Sequence, residues 1–254
     1  MKRIIGLILI LILAMAVVSV FTPKPRKAMK ARPKAIKGKI AIVLDDWGYN
    51  LNDLQLSDGL SYPFTAAVLP EATHTGEVSR RLHSRGREII LHLPMEPEVA
   101  NGLEKNTIMV YMDKDDILRI LDRDLANVVY AKGVSNHMGS KATCDAKTMA
   151  VIFGELKKRH LFFLDSFVTS KTVCRELARK LKLVSYRRDV FLDNIEEKGY
   201  IKKQILILKN KAKAHGFAVG IGHDRQITLE VLKEVMPKLA KEGYEFVFLS
   251  ELKE

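Results

Sequence analysis

The sequence is short of the residues that mark several common classes of protein. Only two cysteines, Cys144 and Cys174, occur among 254 residues, so neither a disulfide framework nor a cysteine-rich metal site is indicated. The pair could form one disulfide in an oxidising compartment, but its spacing does not require one. No G-x-G-x-x-G motif follows an apolar run and no phosphate-binding loop is present, which disfavours a doubly wound nucleotide-binding sheet.

Acidic residues are missing from the first 39 positions, which carry ten lysines and arginines. This segment therefore accounts for most of the formal net charge of +12, and the rest of the chain is close to neutral. A nearly neutral domain gives no electrostatic reason to expect nucleic acid as a partner.

The N-terminus has the composition of a membrane-targeting segment. Residues 4–21 are uncharged, rich in Leu, Ile and Val, and at the lower edge of the length that crosses a bilayer. We interpret residues 1–21 as an uncleaved signal anchor, with a cleaved signal peptide as the competing interpretation. Residues 22–39 predict a basic, proline-containing linker that lies along anionic headgroups. Residues 40–254 are then predicted to be one domain on the periplasmic or extracytoplasmic side of the cell envelope.

The remaining sequence alternates between short apolar runs and segments with helical periodicity. This alternation predicts about eight parallel strands with helices between them. We therefore expect an α/β fold: a single-domain (β/α) barrel of about seven to eight parallel strands, distorted or incompletely closed. The predicted strands are 40–45, 64–69, 88–93, 133–137, 161–165, 183–186, 217–221 and 246–249.

Functional side chains of such barrels lie where the strands end, and titratable residues collect there in this sequence. The first strand ends in Asp45 and Asp46, and three later strands end near His92, His137 and His223. The other four histidines fall in predicted helices or their caps. One histidine at a strand end is usually structural, whereas three around one rim beside two carboxylates predict a site for a cation.

A carboxylate and two imidazoles suit a divalent metal ion, with Zn²⁺ expected. Asp46, His92 and His137 would be its ligands and would leave positions open for water and substrate. Neighbouring side chains of an extended strand diverge, so Asp45 is predicted to be the general base rather than a ligand. Glu96 is an alternative third ligand.

Three further residues of the rim are assigned roles in proton transfer. His223 is predicted to protonate the leaving group, and Arg188 or Asp189 to orient the base or the acid. The residues Asp165 and Trp47 have open interpretations: the former could cap the Ser166 turn, and the latter could stack on a sugar or pack the barrel rim.

Seven motifs in order resemble the divergent polysaccharide deacetylase family of bacteria. The resemblance covers Lys39 to Leu252 and implies a metal-dependent deacetylase with a distorted (β/α) barrel. The resemblance implies that Asp45 matches the catalytic base, Asp46 a metal ligand and His92 the first metal histidine. It also implies that His223 matches the histidine near the C-terminus that serves as general acid. The motifs are 44–48 (LDDWG), 63–70 (PFTAAVLP), 91–97 (LHLPMEP), 133–140 (GVSNHMGS), 162–166 (FFLDS), 188–194 (RDVFLDN) and 222–223 (GH).

The expected activity is hydrolysis of an N-acetyl group on a polysaccharide or peptidoglycan sugar. Related enzymes carry a second metal histidine four residues after the first, where this chain has Glu96, and an Arg-Pro motif where it has Asn136 and His137. These departures motivate an alternative, an inactive barrel that binds glycan or acts as a scaffold. A hydrolase of esters would use the same site.

Overall fold

The computed structural model describes residues 36–252, which form nine β-strands and seven α-helices in alternation, with two short 3-10 helices. The strands are β1 (Gly38–Trp47), β2 (Thr65–Val68), β3 (Glu88–Met95), β4 (Ala131–Met138), β5 (Phe162–Asp165), β6 (Ser185–Arg187), β7 (Val190–Phe191), β8 (Phe217–His223) and β9 (Tyr244–Val247). The helices are α1 (Asn52–Ser57), α2 (Thr75–Ser84), α3 (Lys114–Asn127), α4 (Ala146–Lys158), α5 (Cys174–Leu181), α6 (Lys198–His215) and α7 (Gln226–Glu242).

All strand pairings are parallel and follow the order β6-β5-β4-β3-β2-β1-β8-β7. The strand β9 pairs with the first half of β1, and β2 pairs with its second half. The short strands β6 and β7 end the order and do not pair with each other, so the barrel is open between them. The predicted fold, a single (β/α) barrel that is incompletely closed, is confirmed.

One short strand was not predicted. The pair Val190–Phe191 forms β7 by bonding to Gly220 and Ile221 of β8. Two residues are too few for an alternation of apolar and polar side chains, so the pattern could not reveal them.

Two apolar clusters hold the barrel together, and β1 contributes to both because its side chains alternate between its faces. Ile40, Ile42 and Leu44 join the larger cluster, which includes helix residues such as Ile152 of α4. Ala41 and Val43 join the smaller cluster, which is built mainly from other strands. The smaller cluster therefore fills the barrel interior, and the larger one lies between sheet and helices.

The helix boundaries follow from capping residues that the sequence shows. Asp113 accepts a hydrogen bond from Asp116 N at 2.9 Å, and Asp145 accepts one from Thr148 N at 2.7 Å, at the starts of α3 and α4. Gly216, with a φ of 85°, ends α6 in the left-handed conformation that glycine adopts without strain. These residues fix where α3 and α4 begin and where α6 ends.

The two cysteines are free thiols, with Cys174 buried and Cys144 half-buried. The predicted anchor, residues 1–21, and most of the predicted linker, residues 22–39, lie outside the described residues. The strand β1 begins at Gly38, two residues before the predicted boundary. Across residues 36–252, every helix is too short or too polar to traverse a bilayer.

Candidate metal centre and active site

The alternation of side chains along three strands carries site residues to one place. Because Val43 faces the barrel interior, Asp45 two residues later continues the same face of β1. By the same period of two, His92 follows Ile90 on β3 and His223 follows Ile221 on β8. These side chains therefore extend the interior apolar column into a polar mouth at the carboxyl ends of the strands.

Asp46 reaches the same mouth by a local break in β1. Its φ is 67°, in the left-handed region that Asp tolerates better than most residues. The pairing of β1 with β2 shifts register between Leu44 and Trp47, so the strand is irregular at this point. The expectation that Asp45 and Asp46 diverge is wrong, because it assumed an extended strand. His92 Nε2 lies 3.6 Å from Asp45 Oδ2 and 3.3 Å from Asp46 Oδ1.

Asp46, His92 and His137 form a compact cluster of possible ligands for one metal ion, which we term the metal cluster. One ligand atom from each lies within 4.8 Å of the other two, and among the described residues no other such group is found. Asp46 Oδ1 is 3.3 Å from His92 Nε2 and 3.1 Å from His137 Nδ1. Bonds of about 2.1 Å in a tetrahedral site place neighbouring ligand atoms about 3.4 Å apart. The three residues therefore fit a single divalent ion.

The protonation states of the cluster also suit a cation. Burial lowers the pKa of His92 to about 4, so its imidazole is neutral and able to ligate at pH 7. Burial alone would raise the pKa of Asp46, but hydrogen bonds and charge interactions with His137 and His92 outweigh it and hold that pKa well below its usual range. His92 Nδ1 lies 2.8 Å from Ser135 Oγ, a contact that fixes the ring orientation.

Asp45 is buried beside the cluster without a strong partner of its own. Burial, and next the charge of Asp46, raise its pKa well above the ordinary value, while Arg188 opposes the shift. Its Oδ1, like Nε2 of His137, is buried with no hydrogen-bond partner among residues 36–252. Buried polar atoms without partners are costly, so both atoms would gain from a further polar group bound at the cluster.

His223 lies near the second carboxylate oxygen of Asp46 and is held by Asp193, a residue for which no role was predicted. Its Nε2 lies 3.6 Å from Asp46 Oδ2, and its Nδ1–H donates to Asp193 Oδ1 at 2.9 Å. Asp193 is fully buried and also accepts from His223 N and Thr228 Oγ1, at 2.8 and 2.7 Å. Burial alone would raise the pKa of Asp193, but these hydrogen bonds outweigh burial and lower that pKa.

The signal that could have revealed Asp193 is its position. It follows β7 by two residues, inside the 188–194 motif, and its side chain bonds to the end of β8. Without β7, nothing in the order of residues brings Asp193 next to His223, so the motif alone does not identify its partner.

The structure places Arg188 and Asp189 differently from each other. The Arg188 guanidinium donates to Ser166 O and Phe167 O, at 2.6 and 2.7 Å, and interacts electrostatically with Asp45. The Asp189 carboxylate accepts from Val219 N of β8 at 2.9 Å and lines a cavity at the open side of the barrel. These contacts support an orienting role for Arg188 and a strand-pairing role for Asp189.

The structure also shows the contacts of Glu96, Asp165 and Trp47, whose roles the sequence left open. Glu96 accepts from Val110 N at 2.7 Å and pairs with Lys141 Nζ at 2.6 Å, so its carboxylate joins two loops rather than the metal cluster. Asp165 caps its turn by accepting from Phe167 N at 2.8 Å. Trp47 is 1% exposed and stacks on Phe64, which leaves no face for a sugar.

An open (β/α) barrel with a carboxylate and two imidazoles at its strand ends defines an α/β protein suited to bind a divalent ion. The chain belongs to the divergent polysaccharide deacetylase family, whose model matches residues 42–253. It is 34% identical over 204 residues to the uncharacterized protein YibQ of Escherichia coli K12. That match covers 80% of this chain and 64% of the relative, so the chain spans less than two thirds of the relative's length.

Solved structures share the fold. An uncharacterized protein from Agrobacterium tumefaciens superposes with a TM-score of 0.83 at 20% identity, covering 88% of this chain and 92% of that one. The catalytic domain of a peptidoglycan N-acetylglucosamine deacetylase from Eubacterium rectale gives 0.56 at 13%, covering 91% and 96%. A family 4 carbohydrate esterase pseudoenzyme from Bacillus anthracis gives 0.54 at 12%, covering 87% and 66%. The same fold thus occurs in an enzyme and in a pseudoenzyme.

Proposed function

We propose that this chain is a metal-dependent hydrolase of the cell envelope that removes N-acetyl groups from a polysaccharide or peptidoglycan sugar. The observation that carries the proposal is that Asp45 and His223, which pair across β1 and β8, both adjoin the cluster formed by Asp46, His92 and His137. Family membership supports the substrate class. The apolar residues 4–21 support an anchored or exported protein whose domain lies outside the cytoplasmic membrane.

The residues of the chain would divide the chemistry as follows. A divalent ion held by Asp46, His92 and His137, with Zn²⁺ expected, would polarise the amide carbonyl and acidify a bound water. Asp45, whose pKa is raised by burial, takes the proton of the attacking water. His223 Nε2 delivers a proton to the departing amine.

Two further residues keep the proton-transfer groups in place. Asp193 holds His223 Nδ1 protonated, so that the proton to be delivered is the one on Nε2. Arg188 opposes the burial-driven rise of the pKa of Asp45 and is itself fixed by two backbone carbonyls. The base and the acid are therefore each oriented by a residue outside the metal cluster.

The proposal is tested by acetate release from N-acetylglucosamine oligomers and from peptidoglycan, using the full chain loaded with Zn²⁺. Asp45→Asn keeps the metal ligands and should retain about one ion per chain while losing at least 100-fold in kcat, as expected for removal of a general base. The exposed Asp115→Asn on α3 is the matched control and should behave as the wild type. Wild-type turnover in Asp45→Asn would contradict the assignment of the base.

A second candidate function is a barrel that binds glycan without cleaving it. The likeness to a pseudoenzyme of the same fold, together with Glu96 in place of the expected histidine, favours testing it. Glycan pull-down with no acetate release from any of several N-acetylated substrates would support this function over the hydrolase.

A further inference from the structure

The open side of the barrel contains a cavity away from the metal cluster. This seam cavity has a volume of about 1010 Å³, and none of the metal-cluster residues lines it. A smaller depression of about 390 Å³ shares three of its arginines. The lining comes from α5, β6, the end of α6, the start of β8 and the C-terminal segment that includes Leu252. The cavity exists because β6 and β7 do not pair.

Cations dominate the walls of the seam cavity. They are Arg175, Arg179, Arg187 and Lys211, with His215 beside them. Among residues 36–252 no carboxylate lies within the 4.0 Å of an ion pair from any of the four permanent cations, although ion pairs are common elsewhere on the surface.

The two carboxylates that line the cavity already have partners. Asp165 accepts hydrogen bonds from Phe167 N and Thr172 Oγ1, at 2.8 and 2.9 Å. Asp189 accepts from Val219 N. Asp165 interacts electrostatically with Arg187 across β5 and β6, but neither carboxylate forms an ion pair with an arginine of the cavity.

The arrangement of charges on α5 points to an external anion. Arg175 and Arg179 are four residues apart and face the cavity together, a spacing at which like charges repel. On the adjoining face of the same helix Glu176 and Lys180, also four apart, form an ion pair of 2.7 Å. Glu176 also lines the smaller depression, but it is paired with Lys180, so the arginines of the seam cavity have no ion-pair partner on this helix.

The floor of the cavity is apolar. It is formed by Leu183, Tyr186, Phe217 and Leu252, of which all but Phe217 are less than 9% exposed. A cavity with an apolar floor and an arginine-rich rim suits a ligand that has an apolar body and an anionic head. The forked guanidinium group matches the oxygens of a phosphate in two parallel hydrogen bonds.

We propose that the seam cavity binds a phosphate ester carried on an apolar body, of the kind that an anionic lipid presents. The three arginines and Lys211 bind the phosphate, and the floor residues contact the first carbons of the body. This site is separate from the metal cluster, so ligand binding here does not depend on the proposed hydrolase activity.

The test measures binding to the full chain by isothermal titration calorimetry. The probes are dihexanoyl phosphatidylglycerol below its micelle concentration, dihexanoyl phosphatidylcholine, glucose 1-phosphate and inorganic phosphate. We expect saturable one-to-one binding of phosphatidylglycerol that weakens as salt is added, and no saturable binding of the zwitterionic lipid. Equal binding of glucose 1-phosphate would support a phosphate site in the cavity and indicate that its ligand is a soluble phosphate ester rather than a lipid.

Paired variants locate the site. Arg179→Gln with Arg187→Gln should weaken phosphatidylglycerol binding by about tenfold or more for each charge-assisted hydrogen bond that is removed. Lys203→Gln with Lys213→Gln removes the same charge from exposed positions of α6 outside the cavity and should change binding less than threefold. If the arginine variant does not fold, as judged by circular dichroism, Lys211→Gln alone gives the same comparison.

Three results would overturn the proposal. They are no saturable binding of any phosphate-bearing probe, equal binding of phosphatidylcholine and phosphatidylglycerol, and equal weakening by the seam variants and the control pair.

Discussion

At the scale of single residues, Asp193 controls how His223 is presented to the metal cluster. Its buried carboxylate receives three hydrogen bonds, two of them from His223 itself. A charged acceptor fixes both the tautomer and the orientation of an imidazole, which a neutral amide does not do reliably. Asp193 is therefore a positioning residue whose effect should appear in turnover rather than in metal binding.

We predict that Asp193→Asn lowers kcat for acetate release by on the order of 100-fold, the lower range for loss of general acid catalysis. Metal content and KM should stay within twofold of the wild type, because neither the ligands nor the substrate contacts change. Thr228→Val removes one of the three hydrogen bonds and should cost less than tenfold. Steady-state kinetics with metal analysis checks both variants, and a kcat within twofold of wild type for Asp193→Asn would refute the role.

A second residue, Asp124 on α3, couples stability to pH far from the site. It is 1% exposed, and its Oδ2 has no hydrogen-bond partner among residues 36–252. Burial raises its pKa to about 6, although Arg123 opposes the shift. A carboxyl whose pKa rises on folding holds its proton more tightly in the folded chain. Folding therefore becomes less favourable as the pH rises from about 4 to above 6.

We predict that Asp124→Asn removes this pH-dependent cost. The shift of about two pKa units corresponds to at most about 3 kcal/mol, so the variant should gain up to that much stability over wild type between pH 4.5 and pH 7.5. Urea unfolding at both pH values gives the difference, and Asp115→Asn supplies an exposed control. A difference between variant and wild type that does not change with pH would contradict the prediction.

At the scale of elements, the strands need close packing inside the barrel, whereas helix positions facing outward tolerate change. A Cβ atom added to Gly133 of β4 would lie 2.4 Å from the Phe162 ring of the next strand. That ring is itself packed against Tyr186, with centroids 5.4 Å apart. By contrast, a Cβ added to Gly154 of α4 meets no atom within 4 Å.

We predict opposite effects of one substitution at these two glycines. Gly133→Ala should lower the free energy of unfolding by about 1 to 3 kcal/mol, because Phe162 must move in a filled interior. Gly154→Ala should raise it by about 0.5 to 1 kcal/mol, since alanine favours a helix over glycine. Chemical denaturation of both variants checks the pair, and a stabilised Gly133→Ala would show that the interior is loosely packed.

The element scale also shows what the sequence could and could not predict. The alternation of apolar runs with helical segments placed Asp45, His92, His137 and His223 on one rim, because the carboxyl ends of parallel strands meet at the same end of a barrel. The left-handed φ of Asp46 could not be read in this way, since the sequence carries no mark of the register shift beside it. The result is that both carboxylates, and not one, contact His92.

Residues set by contacts distant in the chain were the hardest to predict. Asp193 lies 30 residues before its partner His223, and their contact depends on the two-residue strand β7. Glu96 is an alternative ligand by its position in the sequence, but Val110 and Lys141, from loops without a readable pattern, hold it elsewhere. Contacts made by irregular loops therefore could not be predicted, because such loops leave no periodic pattern in the sequence.

At the scale of the whole molecule, the barrel and the metal cluster are coupled through β1, β3 and β4. An ion bound to Asp46, His92 and His137 joins these three strands at their carboxyl ends. Such an ion binds the folded chain far better than the unfolded one, in which the three ligands are distant. Binding should therefore stabilise the domain as a unit, whether or not the site catalyses a reaction.

We predict that Zn²⁺ at about 100 times its dissociation constant stabilises the chain by about 2.7 kcal/mol. For a domain of this size that corresponds to a rise in Tm of about 5 to 10 °C relative to chain treated with chelator. His92→Ala should abolish the rise, because it removes a ligand, whereas His83→Ala removes a histidine stacked on Tyr130 of the surface and should keep it. Differential scanning calorimetry with and without Zn²⁺ makes the comparison. A rise in Tm of the same size in His92→Ala would show that the stabilising ion binds at another site. It would then also contradict the metal-dependent chemistry proposed for this rim.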